Sequence, residues 1–311
     1  MAQVKVDKSL LAGMTKRERQ AFVREAARQE RERLARQRRR RRIAAWSAAG
    51  AVVVLAVAGG ITAGVVSATN AAAAEAAKKA EAAADAARGP ANMLTDGLLL
   101  KSAGDGATAT PVTTGALEGG AKPGKSASEV ATTGVLDVQL YIDPTSTEAA
   151  TFWSTAGAAL QSGLVAGDLT LELHPIAQTG GADALAAVAA FGCFAARQPD
   201  AALAAWNAML QVGIDGAATG TALTSDDLTG VMTTAGATDD VVKCVDGDTY
   251  AEWADAASTR ATTDIPYATD PVGATSGVTV VAAGSVYTGS LDDEAAFSSF
   301  LTDALATATA G

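Results

Sequence analysis

Read for run length and alternation, the chain changes pattern several times. Ile43 to Ser67 carries no charge, and none returns before Glu75; within it Val52–Val57 is solidly apolar. Those twenty-five residues make about 37 Å of helix, enough to cross a hydrocarbon core of about 30 Å with some tilt. Ala71–Ala87 is nearly all Ala, with Glu75 and Lys79 at a favourable i, i+4 spacing. The spanning helix is therefore read as continuing into a helical stalk over 68–90, which Gly89-Pro90 ends. From Ala91 to Gly134, Gly, Thr, Ser and Pro predominate. The one short apolar run there, Leu98–Leu100, predicts an edge strand in otherwise irregular chain.

Beyond Gly134 the periods become regular. Val135–Ile142 (VLDVQLYI) and Leu169–His174 (LTLELH) alternate as strands do, and Ala149–Leu164 between them has helical spacing. Gly181 to about Arg260 is Ala-rich and reads as four or so helices, with Thr224-Ser225-Asp226-Asp227 before Leu228 as an N-cap. Val278–Ala282 predicts a third strand, Gly284 a turn, Val286–Thr288 a short partner, and Leu291–Ala306 a last helix. This order predicts one α/β domain over 91–311, because neither β-rich half could close a sheet alone.

Charge divides the chain at the same place as hydropathy. Residues 1–42 hold 15 Lys/Arg against 5 Asp/Glu, a net of +10; the other 269 hold 9 against 29, a net of −20. Arg38–Arg42 abut the apolar span and Trp46 sits at its near end. The positive-inside rule then places the N-terminus in the cytoplasm and the acidic bulk outside, with 43–67 as a single-pass anchor in the cell membrane. A cleaved signal peptide, with Ser67-Ala68-Thr69-Asn70-Ala71 as its cleavage region, would need a basic part of some 42 residues, far longer than usual. A twin-arginine export reading fits the arginine run, but no further export motif follows it. The basic arm (1–42) is expected to touch anionic lipid headgroups. It lacks the aromatic interleaving or folded module that nucleic-acid binding would call for, and the acidity of the remainder also excludes nucleic acid as a partner.

Candidate chemistry is sparse. Cys193 and Cys244 are the only cysteines. In an exported domain an even pair reads as a structural disulfide, and the rival reading is a redox pair. The apolar context Phe191-Gly192-Cys193-Phe194 raises a thiol's pKa and argues against reactivity. The single histidine, His174, reads as a strand-end residue rather than a ligand or base. Asp246-Gly247-Asp248 lacks the remaining ligands of a calcium loop, and most other carboxylates read as helix N-caps or first-turn residues. No Walker loop, paired-His zinc motif or nucleophile elbow is present, so neither metal nor cofactor is expected.

One stretch carries a resemblance. Asp143-Pro-Thr-Ser-Thr-Glu-Ala-Ala-Thr-Phe152 stands where a strand runs into a helix. With Leu171-Glu-Leu-His-Pro-Ile176, Ala186–Ala195 and Ser276-Gly277-Val278-Thr279-Val280-Val281, it makes residues from about 91 to 308 resemble the DsbA-like thiol–disulfide oxidoreductases. The likeness is to the membrane-tethered forms of high-GC Gram-positive bacteria. It implies a thioredoxin-like fold with a helical insertion over about 181–260. In that family the strand ends Asp-x-x-Cys-Pro-x-Cys-x-x-Phe. Here Ser146 takes the first Cys position, Thr147 the Pro, Glu148 the variable site and Ala149 the second Cys, and Val278 stands where a cis-proline would face the redox pair. Exchange needs a thiolate, so the resemblance implies a degenerate site at Ser146, Ala149 and Val278. It further implies a partner groove along Ser146, Thr147, Glu148, Gly277 and Val278, and it agrees with a structural Cys193–Cys244 bridge. The function so implied is that of a redox-inactive binding or accessory subunit of a membrane or cell-envelope complex. The alternative is residual or displaced oxidoreductase activity through Cys193 and Cys244.

Overall fold

The structure, a computed structural model, describes residues 87–124, 135–179 and 181–310. The basic arm, the apolar span and residues 68–86 of the expected stalk lie outside them. No described helix is long and apolar enough to cross a membrane.

Six strands make one sheet: β1 (Leu98–Ser102), β2 (Ala109–Pro111), β3 (Leu136–Ile142), β4 (Leu169–Pro175), β5 (Val278–Ala282) and β6 (Ser285–Val286), in the order β2-β1-β4-β3-β5-β6. Only β3 and β4 are parallel, joined across helix α1 (Thr147–Ala166); the other pairings are antiparallel. The register sets Val138 beside Leu171 and Ala282, and Leu140 beside Leu173 and Val280. These residues form one apolar face, into which α1 buries Phe152, Ala156, Leu160 and Leu164 at helical spacing.

Alternation puts Glu172 and His174 of β4, and Gln139 and Tyr141 of β3, on the other face, and these too are buried. A second cluster, built on Tyr141, Ile176, Ala261, Ile265, Ala274 and Val281, covers part of that side. The polar half of LTLELH therefore faces protein, not water.

The long interval between β4 and β5 holds α2 (Gly181–Arg197), α3 (Ala202–Gly216), α4 (Leu228–Ala235), α5 (Asp239–Asp246) and α6 (Ala251–Thr263), one helix more than the sequence pattern suggested. Thr224 and Asp227 form a reciprocal capping box on the short 3-10 turn before α4. The last helix, α7 (Glu294–Ala310), starts three residues later than expected because Asp293 Oδ1 accepts from Ala296 N at 2.9 Å.

Three expectations need correction. Leu98–Leu100 is not an edge strand: β1 lies between β2 and β4, and three consecutive apolar residues suit a strand covered on both faces. The partner of β5 is Ser285–Val286 and not 286–288, because Ala283 and Gly284, both at positive φ (48° and 79°), close a two-residue hairpin turn. The expected helix does not include 87–90: Ala87–Pro90 is not helical, and Gly89 and Pro90 are buried in the domain, with Gly89 N donating to Leu117 O at 2.8 Å.

The β1–β2 turn gives a direct pH prediction. The Asp105 carboxylate accepts from Thr108 Oγ1 (2.6 Å), Ala107 N (2.9 Å) and Thr108 N (2.8 Å). These bonds, the Thr108 hydroxyl first, hold its pKa at about 2 against an ordinary 3.8. A carboxylate with a lowered pKa supports its turn above the ordinary value and loses that support as pH falls through the lowered one. Carboxyl carbon NMR should find Asp105 titrating near pH 2, and Thr108→Ala should move the midpoint back toward 3.8; an unmoved midpoint would refute the assignment.

Candidate functional site at the start of the first helix

The carboxyl ends of β3 and β4 and the loop before β5 converge at the start of α1. Ser146 is the helix N-cap, in extended geometry (φ −86°, ψ 148°), and its Oγ accepts from Ala149 N at 3.0 Å. That hydroxyl satisfies one of the amides the first turn leaves open.

Asp143 organises the surroundings. Its carboxylate has no exposure and accepts five hydrogen bonds. Oδ1 takes Thr145 N (2.9 Å) and Thr145 Oγ1 (2.6 Å); Oδ2 takes Gln178 N (2.8 Å), Thr179 N (2.6 Å) and Thr179 Oγ1 (2.9 Å). Its backbone N donates to Gly277 O at 2.8 Å. Gln178 completes the clamp: Oε1 accepts from Gly277 N (2.7 Å) and Nε2 donates to Ala274 O (2.6 Å). Sequence reasoning gave Asp143 a place in the frame but missed Gln178 and Thr179, whose role depends on long-range contacts that no local pattern reports.

The structure brings the residues of the expected groove and degenerate site together, and leaves the two cysteines apart from them. Ala149 and Val278 are buried, Thr147 and Glu148 are exposed, and Ser146 retains 5% exposure under the buried backbone of Gly277. Gly277 has φ +75°, and a Cβ there would come 2.3 Å from Ser146 Oγ, so the loop lies on the cap and only glycine fits. Every described peptide bond is trans, including the one before Val278. The exposed residues at this end of the sheet are Thr147, Glu148, Thr179, Thr275 and Ser276.

The two cysteines lie elsewhere, in the helical insertion. Cys193 of α2 and Cys244 of α5 form a disulfide with Cα atoms 5.8 Å apart, both residues under 5% exposed. Asp246 and Asp248 sit on an exposed helix-end turn in which Asp248 N donates to Val245 O at 3.1 Å.

His174 is more deeply placed than a strand-end residue should be. At 2% exposure it stacks on Tyr141 with ring centroids 4.2 Å apart, and its Nε2 lies 3.5 Å from Glu172 Oε1. Thr95 Oγ1 donates to the same glutamate oxygen. Burial, and after it the charge of Glu172, pushes the Tyr141 hydroxyl well above its ordinary pKa and keeps it protonated.

A βαβ unit with parallel strands, an antiparallel hairpin beside β3 and a closing helix make this a thioredoxin-like fold, interrupted after β4 by five α-helices. Several solved structures are similar to it. They include MdbA, a thiol–disulfide oxidoreductase from Actinomyces oris, at 17% identity over 55% of this chain and 81% of that one, with a TM-score of 0.46. Reduced DsbA from Mycobacterium tuberculosis has 18% identity over 67% and 99%, with a TM-score of 0.44. Oxidised BdbD from Bacillus subtilis has 15% over 59% and 91%, with a TM-score of 0.46. No family profile matches the chain. No curated protein sequence matches it either.

Proposed function

We propose that this chain is a catalytically silent DsbA-like domain, anchored by residues 43–67 at the outer face of the cytoplasmic membrane, that works by binding. Its role is that of an accessory subunit of a membrane or cell-envelope complex. The observation that carries this reading is the whereabouts of sulfur. Both cysteines of the chain are joined and buried in the insertion, while the helix start that would activate a thiolate holds Ser146, whose hydroxyl caps the helix, and Ala149. A serine cannot form a mixed disulfide, and a helix N-terminus lowers the pKa only of a thiol that is there. The strip of Thr147 and Glu148 beside Ser146, Gly277 and Val278 is the partner-facing surface. The basic arm holds anionic lipid headgroups on the other side of the membrane, and the acidic domain takes no part in nucleic-acid binding.

The full-length protein should leave insulin disulfides and scrambled ribonuclease at background rates, and its native state should contain no alkylatable thiol. It should leave detergent-solubilised membranes in a stoichiometric complex. Oxidoreductase activity abolished by Cys193→Ser would overturn the reading in favour of a displaced redox pair. Recovery of a spread of unfolded exported clients would replace the subunit role by client holding.

A further inference from the structure

The first described segment, Gly89–Gly97, is tied to the helical insertion by contacts that a plain lead-in would not need. Asp96, at φ +65° and 6% exposed, is its centre. Arg260 of α6 donates to it twice, from Nε to Oδ2 (2.7 Å) and from Nη2 to Oδ1 (2.9 Å); Trp253 Nε1 donates to Oδ1 at 2.8 Å. A two-pronged guanidinium bond with little exposure is among the stronger side-chain contacts available. One turn earlier, Asn92 Nδ2 donates to Ala195 O of α2 at 2.8 Å.

The same segment reaches the neighbourhood of the disulfide. Gly192 immediately precedes Cys193, and a Cβ there would come 2.9 Å from Pro90 and 3.0 Å from the Trp253 ring. Pro90 and Trp253 are thus packed against the α2 backbone one residue from the bridge. The other cysteine, Cys244, accepts through its backbone O from Thr249 N (3.2 Å) and Thr249 Oγ1 (3.0 Å), at the turn that leads into α6 and so to Trp253 and Arg260. Segment, α2, α5 and α6 therefore meet at one junction, and the disulfide is the covalent member of it.

We propose that Gly89–Gly97 is a strap that guards the Cys193–Cys244 disulfide, so that undocking of the strap admits a reductant and reduction in turn loosens the strap. Both sulfurs belong to buried residues, so exchange with an external thiol needs a local opening. On the side of Cys193, such an opening parts Pro90 from Gly192 and Asp96 from Arg260 and Trp253. Linkage makes the effect reciprocal: if strap release favours reduction, reduction favours strap release by the same factor. The reductant is a dithiol. It attacks one sulfur through a mixed disulfide, is itself oxidised to a cyclic disulfide, and leaves Cys193 and Cys244 as two thiols, with the protons of the dithiol carried over to them. The device is separate from the proposed binding surface and does not depend on it.

The test is the rate at which dithiothreitol reduces the bridge in the native full-length protein, compared with hydrogen exchange of Gly89–Gly97. Asp96→Asn and Arg260→Gln weaken the clasp from opposite ends, and Leu160→Ala, in the α1 core, serves as a control destabilised elsewhere. Both clasp variants should be reduced about tenfold faster or more, above the rate their global stability predicts from the control. Reduction of the wild-type protein should raise exchange more in the strap than in β3 and β4. Reduction rates unchanged in both clasp variants, or falling on the same dependence on global stability as Leu160→Ala, would overturn the proposal, as would exchange in the reduced protein that rises equally in strap and sheet.

Discussion

Asp143→Ala should lower the unfolding free energy by about 3–4 kcal/mol, the upper range for a single polar substitution. The carboxylate is fully buried and accepts five hydrogen bonds, three of them from backbone amides. Removing it leaves the amides of Thr145, Gln178 and Thr179 without their acceptor. Of these residues only Thr145 is buried; Gln178 is half-buried and Thr179 exposed. Each amide kept from water costs about 1–3 kcal/mol before relaxation. Local collapse and water entry return part of that, which sets the estimate below the simple total. Asp143→Asn keeps one acceptor oxygen, which can serve Gln178 and Thr179 while the amide nitrogen faces Thr145; about half the loss is expected. Urea titration followed by tryptophan fluorescence measures both, with the midpoint moving and the slope unchanged. A midpoint within error of wild type for Asp143→Ala would mean that the clamp does not hold the three chain segments together.

The second large effect belongs to the disulfide. It closes a loop with a sequence separation of 51 between α2 and α5. The chain-entropy model assigns a loop of that size about 4 kcal/mol, an upper value for a bridge whose removal also relaxes its surroundings. Cys193→Ala/Cys244→Ala should therefore lose about 2–4 kcal/mol in the same titration. Alanine is chosen over serine because both sites are buried among apolar side chains, where a stray hydroxyl would add a cost of its own. Wild-type protein fully reduced before the titration should fall to the same stability. A double variant as stable as oxidised wild type would show that packing of α2 against α5 suffices without the bond.

What the sequence disclosed, and what it did not, follows the range of the interactions. Strands and helices with strong periodic patterns, such as VLDVQLYI and the helix ending at Ala166, emerge within two residues of expectation because their apolar spacing is local. The cap at Ser146 lies at the strand–helix join that the resemblance singled out. Leu98–Leu100 misled because an all-apolar triplet says that both faces are covered but not by what. The place of His174 at a strand end was legible in the sequence; its depth was not. Its burial depends on Gly97, packed against its ring, and on Tyr141, stacked on it, which come from two separate parts of the chain. The Asp96 clasp was invisible for the same reason: its donors lie more than 150 residues further on, at separations of 157 and 164.

The two ends of the sheet bear on how such a domain can recognise anything. One border strand, β2, has three residues and ends in Pro111, which has no amide to donate; the other, β6, has two. An incoming peptide that sought to extend the sheet by main-chain pairing would find too few free groups on either side to fix its register. The same shortness protects the fold from joining edge to edge with its own copies. For the binding role proposed above, recognition would then fall to side chains meeting side chains, and its selectivity would be open to single-residue substitution in a way that backbone pairing is not.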